Sequence, residues 1–181
     1  MYKIAGALAQ TGASLEEVYS VADWVSKNIA TIGVGLEHCH VRSHSSESGL
    51  VDPRFLSQVP GTAAGEAHLG SSEIEIGMGI HNEAGARRVS PVPPLTGLVQ
   101  ILLDLLLSKS DPERGFLPTR GSGKDNVVLL VNNLGGVSEL ELAGIAREVV
   151  TALAGRGVSV QRLISGTFMV PHSIHVLTLL R

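Results

Sequence analysis

Residues 127–138 read VVLLVNNLGGVS, and this stretch decides the fold class. The apolar run at 127–131 is typical of a central strand that is buried on both faces. Asn132-Asn133-Leu134-Gly135-Gly136 then predicts a turn. Ser138, with Glu141 three residues later, forms the capping box that begins a helix. A strand that leads through a glycine-rich turn into a helix indicates an α/β protein.

The rest of the chain extends this unit on both sides. Ser14 and Glu17 form a second capping box, which predicts a helix that ends near Ile29. A leucine-rich helix follows Pro94 and stops before Asp111. The other strands are expected at residues 31–41, 73–79, 158–164 and 174–180. This order predicts a single domain over residues 1–181, with a mixed β-sheet of about six strands in a two-layer α/β domain with helices on one face.

Composition excludes several classes of protein. The 181 residues carry a net charge of −3 and only 3% aromatic residues, so neither a basic stripe nor stacking platforms for nucleic acid are present. The longest apolar stretches, such as 98–107, are too short to cross a bilayer, so no membrane partner is expected. Cys39 is the single cysteine and cannot form an internal disulfide. No signal peptide is visible after Met1, and a cytoplasmic location is expected.

The segment 42–70 interrupts the pattern. It is rich in serine, glycine and proline, and no hydrophobic periodicity is sustained across it. Loops of this length are unusual inside a compact domain and are either functional or disordered. We expect a long disordered loop here.

His81 is the strongest candidate for a catalytic residue. Residues 73–79 alternate between polar and apolar, and extending the alternation places His81 on the same face as Gly77 and Gly79. The two glycines would leave bare backbone beside the imidazole, where a small molecule could approach closely. Gly77 and Gly79 are therefore candidate substrate-binding residues.

The two residues after His81 strengthen the candidate site. Asn82 supplies an amide for substrate binding, and Glu83 supplies a carboxylate that could fix the tautomer of the ring and orient it. On the residues alone, a hydrophilic histidine at a strand end is the commoner explanation, and both interpretations stay open.

Three other motifs are weaker. The turn at 132–136 could present backbone N–H groups to an anion, but such turns more often let a helix pack on its strand. Gly121-Ser122-Gly123-Lys124 is rejected as a nucleotide site, because Asp125 stands where a P-loop has Ser or Thr. His38-Cys39-His40, even with His44, lacks further ligands at metal-binding spacing, so no metal site is predicted.

The segment Glu75-Ile76-Gly77-Met78-Gly79-Ile80-His81-Asn82-Glu83 resembles the substrate-binding region of dihydroxyacetone (glycerone) kinases. Further similarities follow in the family's order, at residues 3–7, 30–34, 38–41, 131–136 and 165–169. They cover most of the chain and are greatest to the fungal-type, ATP-dependent enzymes. The resemblance is to the second of two α/β lobes in that region, and it implies a place in glycerol metabolism.

The resemblance implies a mechanism. In the family, the histidine that matches His81 attacks the ketone carbon of dihydroxyacetone and holds the substrate as a hemiaminal. ATP with Mg²⁺ then phosphorylates it to dihydroxyacetone phosphate. The family's first lobe would lie before Met1, and its helical ATP-binding domain after Arg181. We therefore expect no cofactor in this chain and no kinase activity from it alone, and, as in the family, a homodimer.

One departure concerns residues 42–59. Family members run from the strand that ends here at Val41 directly into Pro-Gly, which matches Pro60 and Gly61. The intervening residues therefore resemble an insertion, either a retained intron or a lineage-specific insert.

Two alternatives to a kinase part stay open. The first is a non-catalytic truncated paralogue that acts as a ligand-binding or protein-interaction module. The second is an independent carbonyl-handling enzyme that uses His81 and Glu83.

Overall fold

The computed structural model describes residues 1–36, 69–79, 85–110, 115, 117, 119, 125–168 and 174–180. The expected loop at 42–70 and the insertion at 42–59 fall outside these residues, apart from the last two of the loop. The described part contains four helices and six strands. The helices are α1 (Tyr2–Gln10), α2 (Leu15–Lys27), α3 (Leu95–Leu107) and α4 (Glu139–Gly155). The strands are β1 (Ile29–Gly35), β2 (Ile74–Ile76), β3 (Arg87–Val89), β4 (Asp125–Asn133), β5 (Val158–Gly166) and β6 (Ile174–Leu180).

The strands form one mixed, open sheet in the order β3-β2-β1-β6-β4-β5. Strands β4 and β5 are parallel and are joined through α4; the strand–helix–strand order was predicted from the sequence. The other neighbouring pairs are antiparallel. The predicted two-layer α/β class with a mixed sheet is confirmed.

Both predicted capping boxes are present. The Ser14 hydroxyl accepts the Glu17 backbone N–H at 3.3 Å, and the Glu17 carboxylate accepts the Ser14 backbone N–H at 2.8 Å. Ser138 and Glu141 repeat this exchange at 3.3 and 2.8 Å. Each box satisfies backbone N–H groups that a helix N-terminus leaves without an intrahelical partner, which explains why α2 and α4 begin where they do.

The core lies between the sheet and the helices α3 and α4. Leu103 of α3, Leu153 of α4 and Leu129 of β4 are each completely buried. Burying one such side chain contributes about 1.5–3 kcal/mol. The opposite face of the sheet is polar where Thr31 and Thr178 pair, with their hydroxyls 3.0 Å apart and exposed. The helical layer therefore covers one face.

Some sequence predictions were wrong. Strand β4 was expected to be covered on both faces, but Val128 and Leu130 are only half-buried, because the helices pack on one side of the sheet. Helix α1 was not predicted. Leu15, the first residue of α2, is 84% exposed, although its spacing relative to Val25 predicts a place in a buried stripe of the helix. No helix within the described ranges is both long and apolar enough to cross a bilayer.

Candidate functional site

The candidate motif falls on the turn between β2 and β3. Strand β2 ends at Ile76, and β3 begins at Arg87, paired with Ile76. The Ala86 N–H donates to the Ile76 carbonyl at 2.9 Å and closes the base of the turn. Residues 80–84, which include His81, Asn82 and Glu83, lie outside the described residues, so the structure defines the two ends of their segment.

The expected strand at 73–79 is shorter in the structure, where β2 covers Ile74–Ile76, and the face on which His81 lies stays a prediction because His81 is outside the described residues. Gly77 has a φ of +82°, in the left-handed region that favours glycine, and this conformation ends the strand. The Gly77 N–H donates to the Gly33 carbonyl of β1 at 2.8 Å. The described chain therefore leaves the pleat of β2 at Gly77, which is bonded to β1.

The glycines of the motif have structural roles of their own. A Cβ on Gly77 would lie 3.3 Å from the Ala86 nitrogen, so Gly77 also allows the two chains of the turn to approach. Gly79 is half-buried, after Met78, which is buried. A bare backbone patch for substrate, as expected from the sequence, stays a prediction.

Glu75 is a residue that the sequence analysis did not single out. It is only 3% exposed, although it points away from Ile74 and Ile76, which face the core. Its Oε1 accepts the Gly85 N–H at 2.5 Å, and its Oε2 lies 3.3 Å from the Arg88 Nε. In the sequence, an acidic residue between two isoleucines is typical of the exposed face of a strand. Its burial becomes visible only from the pairing of β2 with β3.

The glycine-rich turn after β4 is held by its own asparagine. The Asn133 Oδ1 accepts the Gly135 N–H at 2.9 Å, and its Nδ2 donates to the Val137 carbonyl at 2.7 Å. The Ser138 N–H is bound to Glu141. With these N–H groups engaged inside the chain, the geometry favours the packing role over anion binding.

The register gives the distance between the start of this turn and the end of β2. Ile76, Val34, His175 and Asn133 are successive partners in one row across β2, β1, β6 and β4. Three strand spacings of about 4.8 Å separate the ends of that row by about 14 Å. The end of β2 and the end of β4, where the asparagine turn begins, therefore lie about 14 Å apart.

An apolar cavity of about 140 Å³ lies between the sheet and the helices α3 and α4. Its lining is aliphatic: Ile32, Val34, Leu36, Leu95, Leu98, Val99, Leu102, Val131, Val137, Ile145 and Val149. A small polar ligand placed there would lose its hydrogen bonds to water without replacement. The cavity therefore does not fit a polyhydroxylated substrate.

The structure does not describe the remaining motifs that the sequence analysis considered. His38, Cys39, His40 and His44 lie outside them, as does the Gly121–Lys124 segment. Within the described ranges, no group of three histidine, cysteine or acidic residues could hold a metal ion.

The fold and the turn define a class of protein: a two-layer α/β domain with a glycine-flanked turn between neighbouring antiparallel strands. The Dak1 domain model matches residues 1–54 and 56–178. The chain belongs to the Dak1 domain family.

Individual relatives agree with this assignment. The chain is 45% identical over 160 residues to a dihydroxyacetone kinase from Pichia angusta, covering 85% of this chain and 24% of that protein. It is similar to the dihydroxyacetone kinase structure from C. freundii in complex with AMP-PNP and Mg²⁺, with a TM-score of 0.69 and 27% identity, over 98% of this chain and 28% of the other. A dihydroxyacetone kinase operon co-activator, Dha-DhaQ, has a TM-score of 0.70 and 27% identity, over 98% of this chain and 47% of the other. The chain thus spans 24% of the length of the Pichia angusta protein.

Proposed function

We propose that this chain is the substrate-capturing part of a dihydroxyacetone kinase, and that His81 holds the substrate ketone covalently. Family membership supports the proposal, together with the motif at residues 75–83 and its resemblance to the family's substrate-binding region. The observation that carries it is the Ala86–Ile76 hydrogen bond, because it brings together the two described chain ends between which His81 lies in the sequence.

The proposed chemistry is a reversible addition. A lone pair on a neutral imidazole nitrogen of His81 forms a bond to the ketone carbon, and the carbonyl π electrons move to oxygen. The oxygen gains a proton while the other ring nitrogen loses one, so no atom leaves. Glu83 would orient the ring, and Asn82 would bind a substrate hydroxyl. Gly77 and Gly79 would let the substrate approach the backbone.

This addition selects for carbonyl compounds. Glycerol has the same three carbons but no electrophilic carbon, so an imidazole cannot attack it. Dihydroxyacetone and short aldoses can be captured. Selection therefore depends on bond formation rather than on the shape of the pocket alone.

In this proposal, the longer relatives carry out phosphoryl transfer, and this chain alone does not. Bound ATP with Mg²⁺ would supply the phosphoryl group there. The described residues provide no cluster to hold Mg²⁺, so we expect this chain alone to capture substrate without phosphorylating it. The proposal includes a cytoplasmic location, which agrees with a chain whose single cysteine can form no internal disulfide.

Native mass spectrometry of the chain with dihydroxyacetone tests the proposal. The wild type should gain the mass of one intact dihydroxyacetone, and His81→Ala should gain none. His44→Ala is the matched control and should behave as wild type, and glycerol should give no adduct with any variant. Capture that persists in His81→Ala would contradict the assignment.

A second candidate function is a non-catalytic ligand-binding or protein-interaction module. The structural similarity to an operon co-activator favours it, because that fold neighbour is named for a role other than the kinase reaction. Reversible dihydroxyacetone binding that survives in His81→Ala, without a covalent adduct, would favour this function over the first.

We also propose that the chain forms a homodimer. Tyr2 on α1 and Tyr19 on α2 are 86% and 70% exposed, and large exposed aromatic side chains are typical of interaction surfaces. Analytical ultracentrifugation should show concentration-dependent dimerisation, which Tyr19→Ser weakens. A monomer at high protein concentration would contradict this part of the proposal.

A further inference from the structure

The aliphatic cavity between the sheet and the helices α3 and α4 is a pocket with an open end. Leu36, directly after β1, and Leu95, the first residue of α3, line it and are each 41% exposed. Val99 of α3 and Val149 of α4 also line it, and each is only 1% exposed. The pocket therefore opens where β1 ends and α3 begins, and it extends from there into the core.

The lining of the pocket runs along the two helices. Leu95, Leu98 and Leu102 are spaced three and four residues apart, so they share one face of α3 and extend over about 10 Å. Ile145 and Val149 lie one turn apart on α4 and line the same pocket. An elongated lining of this kind suits an unbranched chain better than a rounded molecule.

The chemistry of the pocket excludes a polar occupant. Every described residue that lines it is aliphatic. A buried water molecule needs about two to four polar partners, and aliphatic side chains offer none. The volume is about 140 Å³. An apolar cavity of about 150 Å³ stays dry and takes up benzene, a six-carbon molecule, so the volume suits an apolar group of about six carbon atoms.

Filling the pocket would be favourable. Protein interiors are close-packed, and a void of this size leaves the side chains around it without contacts on one side. An aliphatic occupant would restore those contacts and would itself leave water. The driving force is therefore the burial of hydrocarbon.

We propose that this pocket binds the tail of a small free amphiphile with an unbranched aliphatic chain of about six carbons. The tail enters the core, and the polar end stays at the mouth beside Leu36 and Leu95, because a polar group inside would lose its hydrogen bonds to water. The inference uses only residues of the pocket and does not rest on the function proposed for His81.

A series of primary alcohols tests the fit of the tail. Each buried CH₂ group should tighten binding about fourfold, so 1-hexanol should bind about 15-fold more tightly than 1-butanol. The gain from 1-hexanol to 1-octanol should be smaller, because the added carbons extend beyond a filled pocket. The diol 1,6-hexanediol is the control of equal length. It should bind at least about tenfold more weakly than 1-hexanol, because one of its hydroxyls would be buried without a partner.

Carbon-13 methyl NMR locates the binding site in the wild type. The methyl signals of Leu98, Ile145 and Val149 should shift saturably with 1-hexanol, with a dissociation constant of about 1 mM or below. The methyl signals of Val128, which lies on the opposite face of β4, should not shift.

A substitution that fills the pocket provides a second test. Leu98→Phe adds volume to the lining and should weaken 1-hexanol binding at least about tenfold. Leu105→Phe is the matched control on the same helix, because Leu105 is also partly buried against the core but does not line the pocket. It should bind 1-hexanol as the wild type does. Circular dichroism identifies a variant that fails to fold, and the alcohol series on the wild type then decides.

Three results would overturn the inference. The first is the absence of saturable methyl shifts in the pocket at about 10 mM 1-hexanol. The second is equal affinity for 1-hexanol and 1,6-hexanediol. The third is unchanged 1-hexanol binding by a folded Leu98→Phe protein. Saturable shifts confined to the pocket, with an affinity gain that declines beyond 1-hexanol, support it.

Discussion

The side chain of Asn132, at the end of β4, accepts the backbone N–H of Phe168 at 2.8 Å, just beyond the end of β5. Asn132 is 5% exposed and pairs with Gly166 in the parallel register of the two strands. This contact holds the chain that leaves β5 against the end of β4.

Removing this contact should destabilise the domain. In Asn132→Ala the Phe168 N–H loses its acceptor in a partly buried place, and the free energy of unfolding should fall by about 1–3 kcal/mol. Asn126→Ala is the control on the same strand: Asn126 is exposed and binds the Gln161 Nε2 at 3.0 Å, so the change should stay within about 0.5 kcal/mol. Urea denaturation measures both, and equal losses would contradict the role given to Asn132.

The glycines of the β2–β3 turn should tolerate alanine poorly. Gly85→Ala places a methyl group 2.6 Å from the Glu75 Cγ, which should cost about 1–3 kcal/mol in the free energy of unfolding. Gly77→Ala puts a side chain at a φ of +82°, which should cost about 1–2 kcal/mol.

Gly144→Ala is the matched control for these substitutions. Gly144 lies within α4, and an added Cβ would meet nothing within 4 Å. The better helix propensity of alanine should stabilise the domain by about 0.5–1 kcal/mol. A stable Gly85→Ala protein would show that the close approach of Gly85 to Glu75 is not required.

The capping box at Ser14 should lower the pKa of Glu17. Hydrogen bonds from the Ser14 backbone N–H and hydroxyl stabilise the ionised carboxylate and hold the pKa of Glu17 below its ordinary value. A depressed pKa adds stability above the unfolded pKa, and that stability is lost as the pH falls through the folded value. An NMR titration should show a lowered Glu17 pKa in the wild type and a pKa nearer that of an ordinary glutamate in Ser14→Ala. Equal values in the two proteins would contradict the cap.

The sequence predicts those parts of the fold whose cause is local. Ser138 and Glu141 identify the start of α4, because a capping box is made within three residues. The leucine spacing identifies α3, and the apolar run identifies β4. Each of these elements is in the structure.

The parts that sequence patterns missed depend on contacts between distant segments. The burial of Glu75 follows from its pairing with Arg88, 13 residues further on, and no periodicity within β2 reveals it. The sequence predicted that the strand continues to residue 79. The polar–apolar alternation runs on past Gly77, so the pattern does not reveal that the left-handed conformation of Gly77 ends the strand. The motif could be predicted from the sequence, whereas the contacts of Glu75 with Gly85 and Arg88 could not.

Carbon-13 NMR with dihydroxyacetone labelled at the ketone carbon tests the central claim most directly, because it observes the bond that His81 is proposed to form. The account predicts that the chain converts part of the carbonyl signal into a tetrahedral-carbon signal, and that His81→Ala abolishes the new signal while His44→Ala keeps it. A labelled carbon that stays a carbonyl, or its free hydrate, in the presence of folded wild-type chain would contradict covalent capture by this domain.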